Sequence, residues 1–183
     1  MMKQTVLSVV FAVAAVPVLA NSCPPAPDHS AAIAAIEDAL KLSENEMAAR
    51  ALNNQLWELW LDAPDAIAQE MLDDGMARRG VYDFLGAREV LTALIAYCPA
   101  YPEGYNQRAF VNYLAQDFEA ALADLDVVLG MQPNHIGALS GKALTLIGMG
   151  RAEEAQAPLR AAVKLNPWLQ ERALLTEPVG TDL

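Results

Sequence analysis

Three prolines, Pro99, Pro133 and Pro167, are spaced 34 residues apart in the sequence. The residues between them repeat with the same period, and small or apolar side chains recur in matching columns: Gly75, Ala109 and Ala143; Ala87, Ala121 and Ala155; Leu91, Leu125 and Leu159. A period of this length indicates a stack of supersecondary units, because one unit cannot bury its apolar face without a neighbour. We therefore predict that the chain of 183 residues folds as a short repeat array.

Each repeat is predicted to contain two helices. In the second copy they cover residues 105–115 and 118–131, joined by a short turn. The later helix carries the i, i+3, i+4, i+7 stripe of an amphipathic helix, formed by Phe118, Ala121, Leu122, Leu125, Val128 and Leu129. Pro133 ends this helix, because proline lacks an N–H and disfavours helix at the preceding residue. In the third copy, Asn134 is predicted to cap the first helix.

Three segments of the second copy, GYNQRA at 104–109, DFEAA at 117–121 and MQPN at 131–134, resemble a tetratricopeptide repeat (TPR). The resemblance implies an all-α solenoid of helix-turn-helix units, with about three repeats at 68–101, 102–135 and 136–169. The whole chain is also similar to small exported TPR proteins of alphaproteobacteria. Such repeats serve many roles, so the fold alone does not specify an activity.

The two ends of a repeat stack expose apolar faces that terminal elements must cover. We predict a proline-rich segment and a helical hairpin over 21–64, the TPR domain over 65–170, and a short capping helix with a tail over 171–183. Trp57 and Trp60 lie on one face of the hairpin's second helix, and we expect them to pack on the first repeat.

Residues 1–20 form an apolar N-terminal segment, in which Lys3 precedes a run of sixteen uncharged residues, 5–20. A bilayer-spanning helix needs about 20 apolar residues, so the shorter run predicts a secretory signal peptide cleaved after Ala20. The mature chain would then have no integral membrane segment and would be exported, with the periplasm as the expected compartment. An uncleaved anchor and a lipoprotein anchored at Cys23 are the alternatives.

The chain is acidic, with a net charge of −11 at pH 7. Nucleic-acid backbones and anionic membrane surfaces attract basic proteins, so neither is expected as a main partner. Two cysteines and two histidines, His29 and His135, are too few for a zinc cluster, and we expect both histidines on the solvated surface. The sequence has no paired nucleophile and base and no glycine-rich phosphate loop, which predicts a non-enzymatic protein without a metal or cofactor.

The candidate site is the concave groove that the first helices of stacked repeats form. The resemblance implies that this groove is lined by Gln69, Leu72, Met76 and Arg79 from the first copy, Glu103, Asn106, Phe110 and Tyr113 from the second, and Ser140, Leu144 and Ile147 from the third. TPRs that bind acidic C-terminal tails use several lysine, arginine and asparagine side chains. This set contains one arginine and one asparagine, so an acidic tail is a poor match.

We therefore predict a partner protein that presents a peptide or helix with apolar anchors and basic flanks. One alternative is a self-associating structural or assembly protein that forms homo-oligomers. Another is a lipid-anchored accessory subunit of an envelope complex. Phe110 and Tyr113 could also pack inside the stack without contacting a partner.

Export predicts that Cys23 and Cys98 form a disulfide, because two thiols tend to pair in an oxidising compartment. The bridge would close a loop of 76 residues and would stabilise the fold by about 2–4 kcal/mol. We expect thiol counting on the denatured, unreduced chain to find no reactive thiol. Two reactive thiols per chain would show instead that both cysteines are unpaired.

Overall fold

Helices form the regular secondary structure of the computed structural model, which describes residues 22–176. In chain order they are α1 (Ser30–Lys41), α2 (Glu46–Trp60), α3 (Ala66–Gly80), α4 (Phe84–Tyr97), α5 (Pro102–Leu114), α6 (Phe118–Met131), α7 (Ile136–Gly148), α8 (Ala152–Leu165) and a 3₁₀ helix (Gln170–Leu174). The predicted all-α helix-turn-helix solenoid is confirmed. The predicted signal peptide, 1–20, and the end of the predicted tail, 177–183, lie outside the described residues.

The turn inside each repeat has the same backbone geometry in all three copies. Tyr82, Gln116 and Gly150 stand 34 residues apart and have φ values of 63°, 60° and 75°. After each of them, a backbone N–H bonds back to the carbonyl five residues earlier, from Asp83 to Arg78, from Asp117 to Asn112 and from Arg151 to Leu146. A residue in the left-handed conformation, followed by this hydrogen bond, ends a helix sharply. It folds α3 back on α4, α5 on α6, and α7 on α8.

Polar side chains begin four of the helices. Asn45, Asp65 and Asp83 each accept a hydrogen bond from the backbone N–H three residues further on. His135 caps α7, where Nδ1 lies 3.1 Å from the backbone nitrogen of Ala138. The prediction of Asn134 as this cap was therefore wrong by one residue.

Helices cross closely where the repeat columns hold small residues. Ala87, Ala121 and Ala155 are fully buried at the same position of α4, α6 and α8. Gly75 on α3 faces Leu91 on α4, and an added Cβ would lie 2.7 Å from the Leu91 Cγ. The absence of a side chain at Gly75 therefore sets the distance between the two helices of the first repeat.

The N-terminal hairpin, α1 and α2, packs on the third repeat. The Trp60 ring stacks on the His135 ring with centroids 4.0 Å apart, and the Trp57 ring lies against Gly137 at the start of α7. The expectation that both tryptophans pack on the first repeat was therefore wrong. The physical reason is that the apolar surface which buries Trp60 comes from the other end of the stack, in a cluster with Leu40, Leu56, Ile136, Leu165, Trp168 and Leu169.

Residues after α8 complete the C-terminal end of the fold. Trp168 and Leu169 turn toward the hairpin cluster, whereas Leu175 packs on the core between α7 and α8. Gln156 on α8 holds this last segment, because its amide donates to the Leu174 carbonyl and accepts from the Thr176 N–H. No described helix is long and apolar enough to cross a bilayer.

Cys23 and Cys98 form a disulfide in the structure, with their Cα atoms 5.2 Å apart. Cys98 follows α4 and is buried in the core of the first repeat. The bridge attaches the segment before α1 to that core. Tyr101 makes a second connection there, because its hydroxyl donates to the Trp60 carbonyl oxygen at 2.8 Å.

We expect Gly75→Ala to lower the free energy of unfolding by about 1–3 kcal/mol, because its methyl group would push α3 away from α4. Gly80→Ala is the matched control, since a Cβ there meets no atom within 4 Å. It should leave stability unchanged or raise it by about 0.5–1 kcal/mol. Urea unfolding followed by circular dichroism measures both variants, and equal effects would contradict the close crossing at Gly75.

Candidate functional site

A cleft of about 200 Å³ lies between the first helices of the second and third repeats; we call it the α5–α7 cleft. It brings together five of the predicted groove residues: Asn106, Phe110, Tyr113, Ser140 and Leu144. Trp57 and Glu171, which sequence reasoning did not assign to a site, also line it. The hairpin and the 3₁₀ helix thus limit a groove that would otherwise run along the whole stack.

Helical spacing explains why these side chains meet. Asn106, Phe110 and Tyr113 stand four and three residues apart on α5, and Ser140 and Leu144 stand four apart on α7, so each set occupies one helix face. Phe110 is 45% exposed, which is unusual for a phenylalanine in a close-packed array. The cleft therefore presents an accessible aromatic ring between polar and aliphatic neighbours.

Arg79 connects the first repeat to this cleft. Its guanidinium lies 4.6 Å from the centre of the Phe110 ring on α5. It also donates to Oε1 of Gln107, which is on α5 as well. Burial lowers the pKa of Arg79, and the nearby Glu103 opposes that shift. The Arg79 guanidinium therefore already interacts with protein groups, and it lies against one side of the Phe110 ring.

Other predicted groove residues lie outside the α5–α7 cleft. Leu72 is fully buried in the core between α3 and α4, and Met76 packs against the same core. Ile147 packs on the core of α7 and α8. Gln69 accepts from the Ala63 N–H and donates to Asp73. Placing Leu72 on the groove surface was wrong, because burial of its apolar side chain in the first repeat's core leaves nothing for a partner to contact.

Glu103 was also predicted to line the groove, yet only 1% of its side chain is exposed. One carboxylate oxygen accepts from the side-chain amides of Asn106 and Gln107. The other lies 3.2 Å from His135 Nε2. Since His135 Nδ1 accepts the Ala138 N–H, Nε2 carries the proton that points at Glu103.

The buried position of His135 corrects the expectation of a solvated histidine. Its ring lies beneath Trp60, and its side chain is 1% exposed. The repeat register contained a signal for this, because His135 stands 34 residues after Tyr101, which is also buried at a helix start. His29, the other histidine, is half-buried and lies 2.7 Å from the Asp62 carboxylate.

Comparisons with known proteins relate the chain to TPR proteins. A TPR repeat-containing protein of Rhizobium etli is 38% identical over 64 residues, which are 35% of this chain and 31% of that protein, so the match spans about a third of the relative's length. No family model matches the chain.

Two solved TPR domains share the fold. The first TPR of Spaghetti (RPAP3), bound to the HSP90 peptide SRMEEVD, superposes with a TM-score of 0.56 at 18% identity, over 58% of this chain and 84% of that one. The TPR2B domain of yeast Sti1, in a pHsp70 complex, gives 0.55 at 24% identity, over 60% and 91%.

We expect Glu103→Ala to lower the free energy of unfolding by about 3–5 kcal/mol, because it leaves buried donors of His135 and Gln107 without an acceptor. Glu89→Ala is the control, since Glu89 is exposed on α4, and it should change stability by less than about 0.5 kcal/mol. Chemical denaturation monitored by tryptophan fluorescence measures the difference. A Glu103→Ala effect no larger than the control would contradict the buried network.

Proposed function

We propose that this chain, which has the fold of a tetratricopeptide-repeat solenoid, binds a short peptide or helix of another protein in the α5–α7 cleft. The exposed Phe110 ring carries the proposal, because a large aromatic side chain held rigidly in a cleft is the usual anchor of a binding site. Tyr113 and Leu144 extend its apolar surface. We propose binding without catalysis.

The charge of the protein favours a basic partner. The net charge is −11, and Glu171 stands at the rim of the cleft. Arg79 is already engaged by Phe110 and Gln107. Complementary potentials speed association and exclude unsuitable partners, so we infer apolar anchors with lysine or arginine on either side. An acidic peptide such as the one bound by the first TPR of Spaghetti is a poor match for this surface.

Side chains on both sides of the α5–α7 cleft limit the length of the ligand. Trp57 lines the cleft and rests on Gly137 of the third repeat, and Arg79 of the first repeat lies against the Phe110 ring, so the open surface belongs to two repeats. A ligand that contacts α5 and α7 can therefore be short. A few residues of a partner, in extended or helical form, are enough to occupy the α5–α7 cleft.

We also propose that the protein is exported and works in the periplasm. The Cys23–Cys98 disulfide supports this location, because such bridges persist in oxidising compartments. It also favours the mature chain over the lipoprotein alternative, since the Cys23 sulfur cannot carry a lipid while it is bonded to Cys98. Self-association into homo-oligomers stays a prediction.

We expect a displayed library of random twelve-residue peptides to yield binders that combine apolar residues with lysine or arginine. Phe110→Ala should weaken these binders by at least about tenfold, as is usual for a central aromatic anchor. Fluorescence anisotropy with a labelled binder measures the affinity.

Leu85→Ala provides the matched control, because Leu85 is 64% exposed on α4 and lies outside the cleft. It should bind the peptide as the wild type does. Equal weakening by both variants, enrichment of acidic peptides, or competition by SRMEEVD would contradict the proposed site.

A further inference from the structure

A second and larger cleft, of about 360 Å³, lies on the other side of the hairpin; we call it the α1–α5 cleft. It is bounded by residues 26–30, by α1, by the end of α2, by the start of α5 and by the loop before α7. The titratable side chains that line it are four carboxylates, two histidines and one tyrosine: Asp28, Glu37, Asp62, Glu103, His29, His135 and Tyr101. Neither lysine nor arginine is among its lining residues.

Glu37 is the exceptional member of this set. The residue is 6% exposed, and its Oε1 atom is buried without any hydrogen-bond partner. Burial raises the pKa of this carboxyl. Lys41, one turn further along α1, pairs with Asp38 at 2.8 Å and leaves that oxygen unpaired. A buried polar atom without a partner is costly and rare in native proteins.

The neighbouring carboxylates already have donors. Glu103 accepts from Asn106, Gln107 and His135. Asp62 lies 2.7 Å from His29 Nε2, and Asp28 accepts the Ser30 N–H at 3.0 Å. Among the carboxylates in this lining, Glu37 is thus the one to which no described residue donates a hydrogen bond.

The walls of the cleft indicate the shape of that donor. Ile33, Leu59 and Pro133 contribute apolar surface to the same lining as the acidic residues. A long amphipathic cation buries its methylene stem along such surface and keeps its charged end among polar groups. A metal ion is a weaker match, because no group of three or more histidine, cysteine, aspartate or glutamate residues in the described chain is arranged to hold one.

We propose that the α1–α5 cleft binds an organic cation, an alkylammonium or alkylguanidinium group, whose charged end donates to Glu37. Such a group is supplied either by a lysine or arginine side chain of a protein or by a free amine. The site is separate from the α5–α7 cleft, because the two clefts share no lining residue. Trp60 lines the α1–α5 cleft, and Trp57 lines the α5–α7 cleft.

The test is a calorimetric titration of the oxidised chain at pH 8 and low salt with 1,5-diaminopentane, and with 1,5-pentanediol as the neutral analogue. We expect saturable binding of the diamine and none of the diol. Glu37→Gln keeps the size of the side chain but removes its charge, and it should weaken diamine binding by at least about tenfold. Glu89→Gln removes a charge from the exposed face of α4 and should bind as the wild type does.

A second pair of probes distinguishes the source of the cation. The peptide acetyl-Gly-Lys-Gly-amide is compared with the same peptide containing norleucine in place of lysine. Binding of the lysine peptide that depends on Glu37 assigns the site to a protein side chain. Diamine binding alone assigns it to a free amine, and either result supports the proposal.

Thermal unfolding checks that Glu37→Gln is folded. A second variant, Asp62→Asn at the exposed rim of the α1–α5 cleft, is expected to weaken diamine binding more modestly. Equal binding of diamine and diol, or an unchanged affinity in folded Glu37→Gln, would overturn the proposal.

Phe110→Ala should leave diamine binding intact, and Glu37→Gln should leave peptide binding intact. Failure of one site is therefore distinguishable from failure of the other.

Discussion

The interaction of His135 with Glu103 and Trp60 determines how the N-terminal hairpin packs against the second and third repeats. One imidazole ring caps α7 with Nδ1, donates to a carboxylate on α5 with Nε2 and stacks beneath an indole from α2. All three contacts are buried, so each one restricts the others. This arrangement fixes the hairpin across the repeat stack, and it places Trp57 beside one cleft and Trp60 beside the other.

The repeat register made most of the fold predictable from the sequence. A 34-residue period reports packing between neighbours in the chain, so the helix pairs and the small residues at their crossings, such as Gly75, followed from it directly. The resemblance to tetratricopeptide repeats selected Phe110, Tyr113 and Leu144, which the structure brings together in one cleft. Once these positions are assigned, helical spacing decides which of the side chains share a face.

Other features depend on contacts between distant parts of the chain and could not be predicted. A repeat column shows which face of α5 holds Glu103, but it does not show that another element covers this face. The hairpin carries Trp60 to the third repeat, and a polar side chain expected at the surface becomes buried with His135. Leu72 was misplaced for a related reason, because a column position did not reveal that the core of the first repeat encloses it.

Repeat stacks commonly behave as one-dimensional arrays, in which terminal units fray and copies can be gained or lost. Here Asn53 on α2 accepts a hydrogen bond from Asn166 after α8 at 3.4 Å, across a separation of 113 residues. The two ends of the array are thereby joined through the hairpin. Such closure makes unfolding more cooperative and folding slower, since the longest loop must close before its contacts form. The hairpin contacts also match a stack of three repeats, because an inserted copy would separate the hairpin from the third repeat on which it packs.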